Sequence, residues 1–475
     1  MDKLKDLLTL LPETKEKDKN LIEKAFHFAL RAHDGQMRKS GEPYFNHVFE
    51  TAKTLSELKM DTETIAAGLL HDVLEDTQVK EEELKKEFGE DIVQLVEGAS
   101  KLSKLKYRGR ERYVESLRKF FLAISRDIRV LIIKLADRLH NVKTLEYLPA
   151  EKAKRIALET IEVHAKLANR LGMGRLKGEL EDFAFPFAYP EEYKKIEDIV
   201  KERKYINNKY LEKIKNSLLK ELAEEKIKIT NLSYRLKRHF SLWLKIKNRG
   251  NIEKVYDFVA LRIIVPTIED CYRTLGVIHG VWRPVPSQIK DYIALPKPNG
   301  YRSLHTTVFT GDGGMVEIQI RTEEMDVEAE IGIAAHFSYK EKLQESGNQF
   351  KKQYEWLKEI KKIQSAIKEP GKFLEHVTFD IFKNRIFVFT PQGDVIDLPE
   401  EATPVDFAYH IHSEVGNKLS GAKVNDRLRA LDEKLQNGDV VEIITKKNGQ
   451  PSRKWLDFAK TNLAKRHIRN ALGIK

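Results

Sequence analysis

The chain has 475 residues, enough for several packed domains, and 41% of them are hydrophobic. Lys and Arg outnumber Asp and Glu by 84 to 73, a formal charge of +11 that favours anionic ligands such as nucleotides or RNA, although a charged content of 33% also fits a plain solvated surface. One cysteine, Cys271, excludes an internal disulfide and a Cys-based zinc cluster, and no apolar run reaches the ~18 residues of a spanning helix. The default setting is therefore reducing and cytoplasmic, and the charged start MDKLKDLLTLLPETKEKDKN does not read as a signal peptide.

Residues 1–185 carry helical periodicity and no sustained strand alternation. HDGQMRKSGEPY (33–44) is a polar loop broken by Gly35, Gly41 and Pro43. Its Arg38 and Lys39 can hold a phosphate or stack on a base, or be solvated cations. His47 follows PYFN just before another helix. IAAGLLHDVLED (65–76) predicts a short helix, because Ile65, Leu69 and Val73 recur every four residues and Asp61 or Thr62 can cap it. On that helix His71 and Glu75 share one face, and Asp72 and Asp76 the adjacent one. A half-buried helix does not need these four polar groups, whereas a metal-activated water does: imidazole and carboxylate suit Mn, Fe, Co or Zn, and a nearby carboxylate can take the water's proton. A lone His-Asp pair reads as an exposed acidic helix end; partners elsewhere change that. YRGRERYVESLRKFFLAISRDIRV (107–130) starts basic and becomes amphipathic. In IIKLADRLHN, Ile132, Ile133, Ala136 and Leu139 give helical periodicity, and one face carries Asp137, Asn141 and Thr144. A helix from Glu151 to Leu171 follows, ending at Gly172 and Gly174.

FAFPFAYPEEY (183–193) reads as a boundary, with Pro186 and Pro190 interrupting helix. Residues 191–230 predict a solvated Lys/Glu-rich helix with one packing face. From residue 230 the texture becomes α/β: VYDFVALRIIV (255–265) is a strand, CYRTLGVIHGVW (271–282) a helix, and MVEIQIRT (315–322) a strand with Glu317, Gln319 and Arg321 on one face. That face can be solvent-facing, but Asp257 starts a second strand, and carboxylates on neighbouring strands can hold Mg²⁺ with nucleotide phosphates; one of them can instead deprotonate an attacking hydroxyl. Arg235, Lys237 and Lys245 are spaced to project from about one helix face. Lys290, Lys297, Arg302 and His305 flank a turn set by Pro296, Pro298 and Gly300, which holds Tyr301 as a base-stacking platform. Together these read as a nucleotide site for phosphoryl transfer.

His47, then His71-Asp72, then Asp137, all on helices, resembles the ligand pattern of the HD phosphohydrolases. HDVLEDT and KLADRLHN resemble the hydrolase domain of RelA/SpoT homologues; GYRSLHTTV, VEIQIRT and AAHFSYK (334–340) resemble their synthetase domain. NRIFVFTPQGDVIDLP (384–399) and PVDFAYHIHSEVGNKLSGAKVN (404–425) resemble their TGS domain. The resemblance covers nearly the whole chain. It implies an all-α HD hydrolase domain (1–185) and an α+β nucleotidyltransferase-like synthetase domain with a mixed sheet and helices (186–345, entered by helices at 191–230). A helical linker (346–374), a small β-grasp-like TGS domain (375–447) and the start of a further helical region (448–475) complete the expected multidomain chain.

The resemblance further implies a bifunctional enzyme. It would transfer pyrophosphate from ATP to the 3′-hydroxyl of GDP or GTP, making (p)ppGpp, and would hydrolyse (p)ppGpp again. In the hydrolase, His47, His71, Asp72 and Asp137 would ligate Mn²⁺, Glu75 and Asp76 would position or activate water, and Arg38, Lys39, Asn141 and Thr144 would contact substrate. In the synthetase, Asp257 would hold Mg²⁺ and Glu317 would act as base or co-ligand. Arg235, Lys237 and Lys245 would serve ATP; Lys297 and His305 the guanosine-nucleotide phosphates; Tyr301 would stack on guanine, with Asn299 at the base edge; and Lys290 would belong to the same nucleotide site. The TGS domain implies contact with the ribosome and the 3′ end of uncharged tRNA, with His412, before His410, as the contact. The alternative for His412 is a histidine packed against a helix.

Gln288-Ile289-Lys290-Asp291 stands where bifunctional members carry Arg-x-Lys-Asp: Lys290 keeps the bifunctional character, while Gln288 removes one cation and leaves the preference for GDP or GTP and the metal behaviour open. Members continue with helical, zinc-binding and ACT or RRM-like regions, so the chain is expected to be C-terminally shortened. Two rivals are an HD phosphohydrolase whose second domain only senses nucleotide, and a non-enzymatic ribosome or tRNA adaptor. Paired acids at Asp257 and Glu317 argue against the first, and two acidic centres against the second. Opposed activities on one chain imply antagonistic coupling, with residues 175–230 as the transmitting element.

Overall fold

The computed structural model describes residues 2–11, 16–103, 127–249, 259–286, 288–297, 299–310, 314–337, 385–436 and 438–474. Its first part is helical: α1 (Asp2–Thr9), α2 (Glu16–Ala32), α3 (Phe45–Glu57), α4 (Thr62–Leu70), α5 (Val73–Asp76), α6 (Glu81–Phe88), α7 (Glu90–Ser103) and α8 (Ile128–Lys143). Helix α4 is at the centre, touched by α2, α3, α7 and α8. Every residue from Thr64 to Leu70 is buried, as an apolar sequence with no polar face requires. Asp61 is the cap: its carboxylate accepts the Thr64 N–H at 3.0 Å.

The helix expected to run to Asp76 breaks at His71 and Asp72. His71 turns its Nδ1 back onto the Gly68 carbonyl at 2.7 Å, and the Asp72 carbonyl accepts the N–H groups of Glu75 and Asp76, opening α5. The polar residues are therefore presented by a break and a new helical turn, not by two faces of one helix.

The predicted 151–171 helix is α9 (Ala150–Glu159), a π-helical turn (Thr160–His164) and α10 (Ala165–Arg170) in continuous succession. Next come α11 (Gly174–Ala188) and the long α12 (Pro190–Glu224). Pro190 sits at the start of α12, where its missing N–H costs nothing, but Pro186 lies inside α11 and does not break it. Helix α11 ends two residues later, so only its last turn forgoes a hydrogen bond.

The mixed domain is built from β1 (Asn231–Leu236), α13 (His239–Arg249), β2 (Val259–Val265), α14 (Ile268–Val281), β3 (Lys290–Asp291), β4 (Leu304–Phe309), β5 (Met315–Thr322), α15 (Glu323–Ile331) and α16 (Ala334–Phe337). The sheet order is β1-β2-β5-β4-β3, with β2 and β5 parallel and the other pairs antiparallel. Arg235 lies on β1 and Lys245 on α13, so the three cations at 235–245 do not share a helix face; the segment around Arg235 pairs in register with β2 instead. The expected polar face of β5 is covered: Gln319 is 6% exposed and Arg321 1%. Arg321 meets Asp326 of α15 at 2.5 Å.

A separate unit holds the hairpin β6 (Arg385–Phe389) and β7 (Val395–Pro399), then α17 (Pro404–Ile411), α18 (Ser413–Asn417), β8 (Leu419–Val424), β9 (Arg427–Arg429), β10 (Val441–Thr445), α19 (Trp455–Phe458) and α20 (Asn462–Ala471). The hairpin turns at the predicted Pro-Gln-Gly-Asp, where Gly393 takes φ +89°. Helix α17 has two apolar faces. Phe407 packs with Ile386, Val388, Leu398 and Val441, while Val405 and Tyr409 pack with Trp455, Ala464 and Ile468. Between them the fully buried Asp406 accepts from the N–H and hydroxyl of both Thr403 and Thr461, and from the Lys460 N–H. The expected linker at 346–374 lies outside the described residues.

Asp406→Ala strands these buried donors and should lower the stability of this unit by about 3 kcal/mol. Denaturant unfolding measures it, and a loss below about 1 kcal/mol would mean that water replaces the carboxylate.

Candidate metal centre and candidate nucleotide site

Helix α3 delivers His47 in its first turn, the break after α4 delivers His71 and Asp72, and α8 delivers Asp137. All four are more than nine-tenths buried. His47 Nε2 is 3.3 Å from Asp72 Oδ2 and 3.2 Å from Asp137 Oδ1; His71 Nε2 is 3.2 Å from Asp72 Oδ2 and 3.9 Å from Asp137 Oδ1. One ligand atom each from His47, His71 and Asp137 falls within 4.8 Å of the others. Because His71 Nδ1 is held by a carbonyl, the neutral ring carries its proton there, and Nε2 turns a lone pair into the cluster, buried and without a hydrogen bond. Two imidazole nitrogens and two carboxylates converging this closely fit a divalent metal ion.

Burial alone would raise both carboxyls. The His71 and His47 imidazoles hold Asp72 well below the usual range, and Lys134 with the same imidazoles does so for Asp137. Burial alone would lower His71, and Asp72 beside it turns the shift upward.

The neighbours include residues that motif reading missed. Lys134 Nζ donates to Asp137 Oδ2 at 2.6 Å. Tyr44 OH lies 2.9 Å from Asp72 Oδ2 and 2.6 Å from Asp76 Oδ2, and its ring stacks on His33. His140 Nδ1 is 2.9 Å from His47 Nδ1 and 2.7 Å from Arg38 Nη1; burial, then His47 and Arg38, push its pKa down to about 3, so it accepts as a neutral ring. The signal for Lys134 and His140 was spacing: each is three residues from Asp137 on one helix.

Of the predicted substrate group, Arg38 Nη2 donates to Asn141 Oδ1 and Asn141 Nδ2 to Asp137 Oδ1, both at 2.6 Å. Lys39 is exposed in the same loop. Thr144 terminates α8 with its hydroxyl on the Asn141 carbonyl at 3.2 Å. Glu75 and Asp76 lie on α5 next to Asp72, Glu75 half-buried and Asp76 exposed.

The second cluster centres on Glu317 of β5. His305 Nδ1 and Gln319 Nε2 each lie 2.9 Å from Glu317 Oε1, His305 Nε2 lies 2.8 Å from Tyr301 OH, and Arg235 Nη1 donates to Gln319 Oε1 at 3.0 Å. Lys297 Nζ sits 4.5 Å from the Tyr292 ring centre and 5.1 Å from that of Tyr301, and Lys290 pairs in register with His305. Burial lowers His305, leaving a neutral ring that donates to Glu317 and accepts from Tyr301. Burial opposes the charge on Glu317, but His305, Gln319 and Lys237 hold its carboxyl far below the usual range. Burial, with Lys290 next, lowers Lys297 to about 8.

The structure therefore brings Arg235, Lys290, Lys297, Tyr301, His305 and Glu317 together, with Lys237 felt electrostatically. Asp257 lies outside the described residues. Arg302 turns to Glu328 at 2.8 Å, and Asn299 gives its side-chain amide to the Asn169 carbonyl at 3.1 Å. In the separate unit His412 is exposed and caps α18 through Nδ1, 3.2 Å from the Glu414 N–H; His410 is also exposed.

These features define a multidomain protein in which a helical His/Asp metal centre joins a mixed-sheet domain and a small TGS-type unit is present. Residues 25–174 match the HD domain family, 234–344 the region found in RelA / SpoT proteins, and 386–445 the TGS domain family. The chain is 47% identical over 471 residues to the guanosine-3′,5′-bis(diphosphate) 3′-pyrophosphohydrolase of Aquifex aeolicus, covering 99% of this chain and 66% of that protein. It is 46% identical to a GTP pyrophosphokinase of Myxococcus xanthus (95% and 60% covered) and 41% identical to the bifunctional (p)ppGpp synthase/hydrolase SpoT of Escherichia coli (98% and 66%). The chain belongs to the RelA/SpoT family, and it spans about three fifths to two thirds of the length of these relatives.

Adding a divalent transition ion to the chelated chain should raise its stability, by about 2.7 kcal/mol at a hundredfold excess over Kd. His71→Ala or Asp137→Ala should abolish the gain in a thermal-unfolding titration; a gain that persists in both would place the ion elsewhere.

Proposed function

We propose that the chain both makes and destroys (p)ppGpp. It transfers pyrophosphate from ATP to the 3′-hydroxyl of GDP or GTP, and it hydrolyses the 3′-pyrophosphate back to GDP or GTP plus pyrophosphate. The observation that carries this reading is the presence on one chain of two separate charged centres of different chemistry: a buried two-imidazole, two-carboxylate cluster, and a carboxylate ringed by cations and tyrosines. The domain limits proposed are 1–185, 186–345 and 375–447, with a linker at 346–374 and a helical region from 448.

In the hydrolase, His47, His71, Asp72 and Asp137 would hold Mn²⁺. A bound metal of this kind lowers the pKa of its water and polarises the phosphoryl oxygen. The protein's own groups do the rest. Glu75 and Asp76 position the water, one of them takes its proton, and Tyr44 fixes Asp76 against Asp72. Arg38, held by Asn141, and Lys39 face the anionic substrate, with Thr144 one turn further. The water oxygen forms a bond to phosphorus, the bond to the 3′ oxygen breaks, and that oxygen leaves with the proton that the carboxylate took from the water.

In the synthetase, Asp257 and Glu317 would serve Mg²⁺. A Glu317 carboxyl held so far below the usual range suits a charged ligand or hydrogen-bond acceptor better than a proton store. Arg235, Lys237 and Lys245 would take ATP, and Lys290, Lys297, Asn299, Tyr301 and His305 the guanosine nucleotide. The exposed His412 supports tRNA and ribosome contact through the TGS unit. No helix among the described residues is long and apolar enough to cross a membrane.

Two assays on one preparation test this: ATP plus GDP or GTP with Mg²⁺, and ppGpp with Mn²⁺. Glu317→Gln should cut synthesis by about 10²-fold or more and spare hydrolysis, and Asp137→Asn should do the reverse. Loss of both activities in either variant would sink the two-centre reading.

Lys297 adds a pH signature. Its charge disappears as pH rises through about 8, so affinity for the guanosine nucleotide should fall by roughly tenfold between pH 7 and 9. Lys297→Arg should flatten that profile in a KM series; an unchanged slope would remove Lys297 from the phosphate site.

A further inference from the structure

The helical domain and the mixed-sheet domain meet along backbone. Gly172, just after α10, takes φ +73°, and Gly332, just after α15, takes φ +56°. A Cβ on Gly172 would lie 2.6 Å from the Asn299 carbonyl oxygen and 3.3 Å from Gly332 Cα. One on Gly332 would run into the Leu171 carbonyl, and one on Gly174 into the Ala329 carbonyl. Two hydrogen bonds cross the same seam: the Ile333 N–H donates to the Leu171 carbonyl at 2.9 Å, and Asn299 Nδ2 to the Asn169 carbonyl at 3.1 Å.

What the seam touches is the loop that carries Lys297 and Tyr301. That loop is a tight turn: the Lys297 N–H donates to the Tyr301 carbonyl at 3.1 Å, and the Gly300 N–H to the Lys297 carbonyl at 2.8 Å. Asn299 is its tip. The outer end of the turn rests on the helical domain, while Lys297 and Tyr301 face Tyr292 and His305. Lys177, one turn along α11 from Gly174, adds its charge to those that depress Lys297.

We propose that Gly172, Gly174 and Gly332 are positioning residues for the guanosine-nucleotide side of the synthetase: their missing side chains let the helical domain seat the Lys297–Tyr301 loop. The inference rests on the function proposed above. The obstacle a methyl group meets here is main chain, which cannot rotate aside as a side-chain tip can. One of the two backbones must move, and a displacement near 1 Å at a binding group is enough to cost a large factor.

The test uses the full chain with Gly172→Ala and Gly174→Ala. Gly174 has no positive φ, so its variant adds the clash without backbone strain. Gly89→Ala is the strain control: Gly89 takes φ +83° with nothing within 4 Å of an added Cβ. The expected result is a KM for GDP or GTP raised about tenfold or more in both seam variants. The KM for ATP and the rate of ppGpp hydrolysis should stay within about twofold, and Gly89→Ala should change neither nucleotide's KM. Retained hydrolysis reports that the helical domain is folded. Three results overturn the proposal: an unchanged GDP KM in both variants, an equal rise for ATP and GDP, or the same effect from Gly89→Ala. A wild-type chain that makes no (p)ppGpp from ATP and GDP would instead overturn the functional reading on which the proposal rests.

Discussion

Two carboxylates, Asp72 and Asp137, are buried among apolar helices, and the helical domain is arranged around making that possible. Removing one such ion from water costs several kcal/mol even after relaxation, and an imperfect partner does not restore it. Here each has several: His47 and His71 lie between them, Tyr44 reaches Asp72, and Lys134 and Asn141 reach Asp137. Such a cluster is a poor means of stabilising a fold, since well-packed apolar residues would do as well or better. Its placement instead concentrates negative charge where two imidazole lone pairs also point. Helix α4, buried from Thr64 to Leu70, supplies the rigid support, with Gly68 letting it approach α3 so closely that a Cβ there would strike Leu55.

The mixed-sheet domain solves a related problem with the opposite sign. Cations gather around one carboxylate, and burial would drive them neutral. Lys297 shows the compromise: it lies over two tyrosine rings, whose faces offset part of the lost hydration, yet its pKa still falls. Glu317 is kept charged by the same neighbours. A site of this kind is poised for a polyanion, because the anion adds the charge that the cations lack.

Much of this was legible in the sequence, for identifiable reasons. His47, His71-Asp72 and Asp137 carry a signal in their order and helical context, and the fold brings them together. The break after Leu70 was not legible, because periodicity at Ile65, Leu69 and Val73 continues across it; only the His71 hydrogen bond to Gly68 interrupts the helix. Arg235, Lys237 and Lys245 also fit a helical spacing, but pairing with β2 claims Arg235 for a strand, and local pattern does not foresee a tertiary partner. Tyr44, Lys134 and His140 went unread as site residues because each looks ordinary alone: an aromatic before a helix, a lysine and a histidine on an amphipathic one. Their roles depend on distances across 28 to 93 residues of chain, or on an ion pair that burial makes strong.

The two centres share one compact unit, and the material between them decides how they can influence each other. A ligand at one site shifts the other only through a difference in affinity between arrangements of the protein, so the joint must have arrangements that differ. Side-chain contacts often absorb small movements by changing rotamer. The Gly172–Gly332 seam has little such slack, because carbonyls and Cα atoms meet there directly. Helix α11 runs from that seam against α8, which carries Asp137, and against α13 and α15 of the other domain. Along it, Arg238 lies over Gly178 and Phe185 packs on Phe240 and Trp243, which ties the same helix to the start of α13. A displacement of the Lys297–Tyr301 loop toward the seam therefore meets main chain rather than a rotatable side chain. The helical side, packed along α11 against α8, resists it, so the loop is the side that gives.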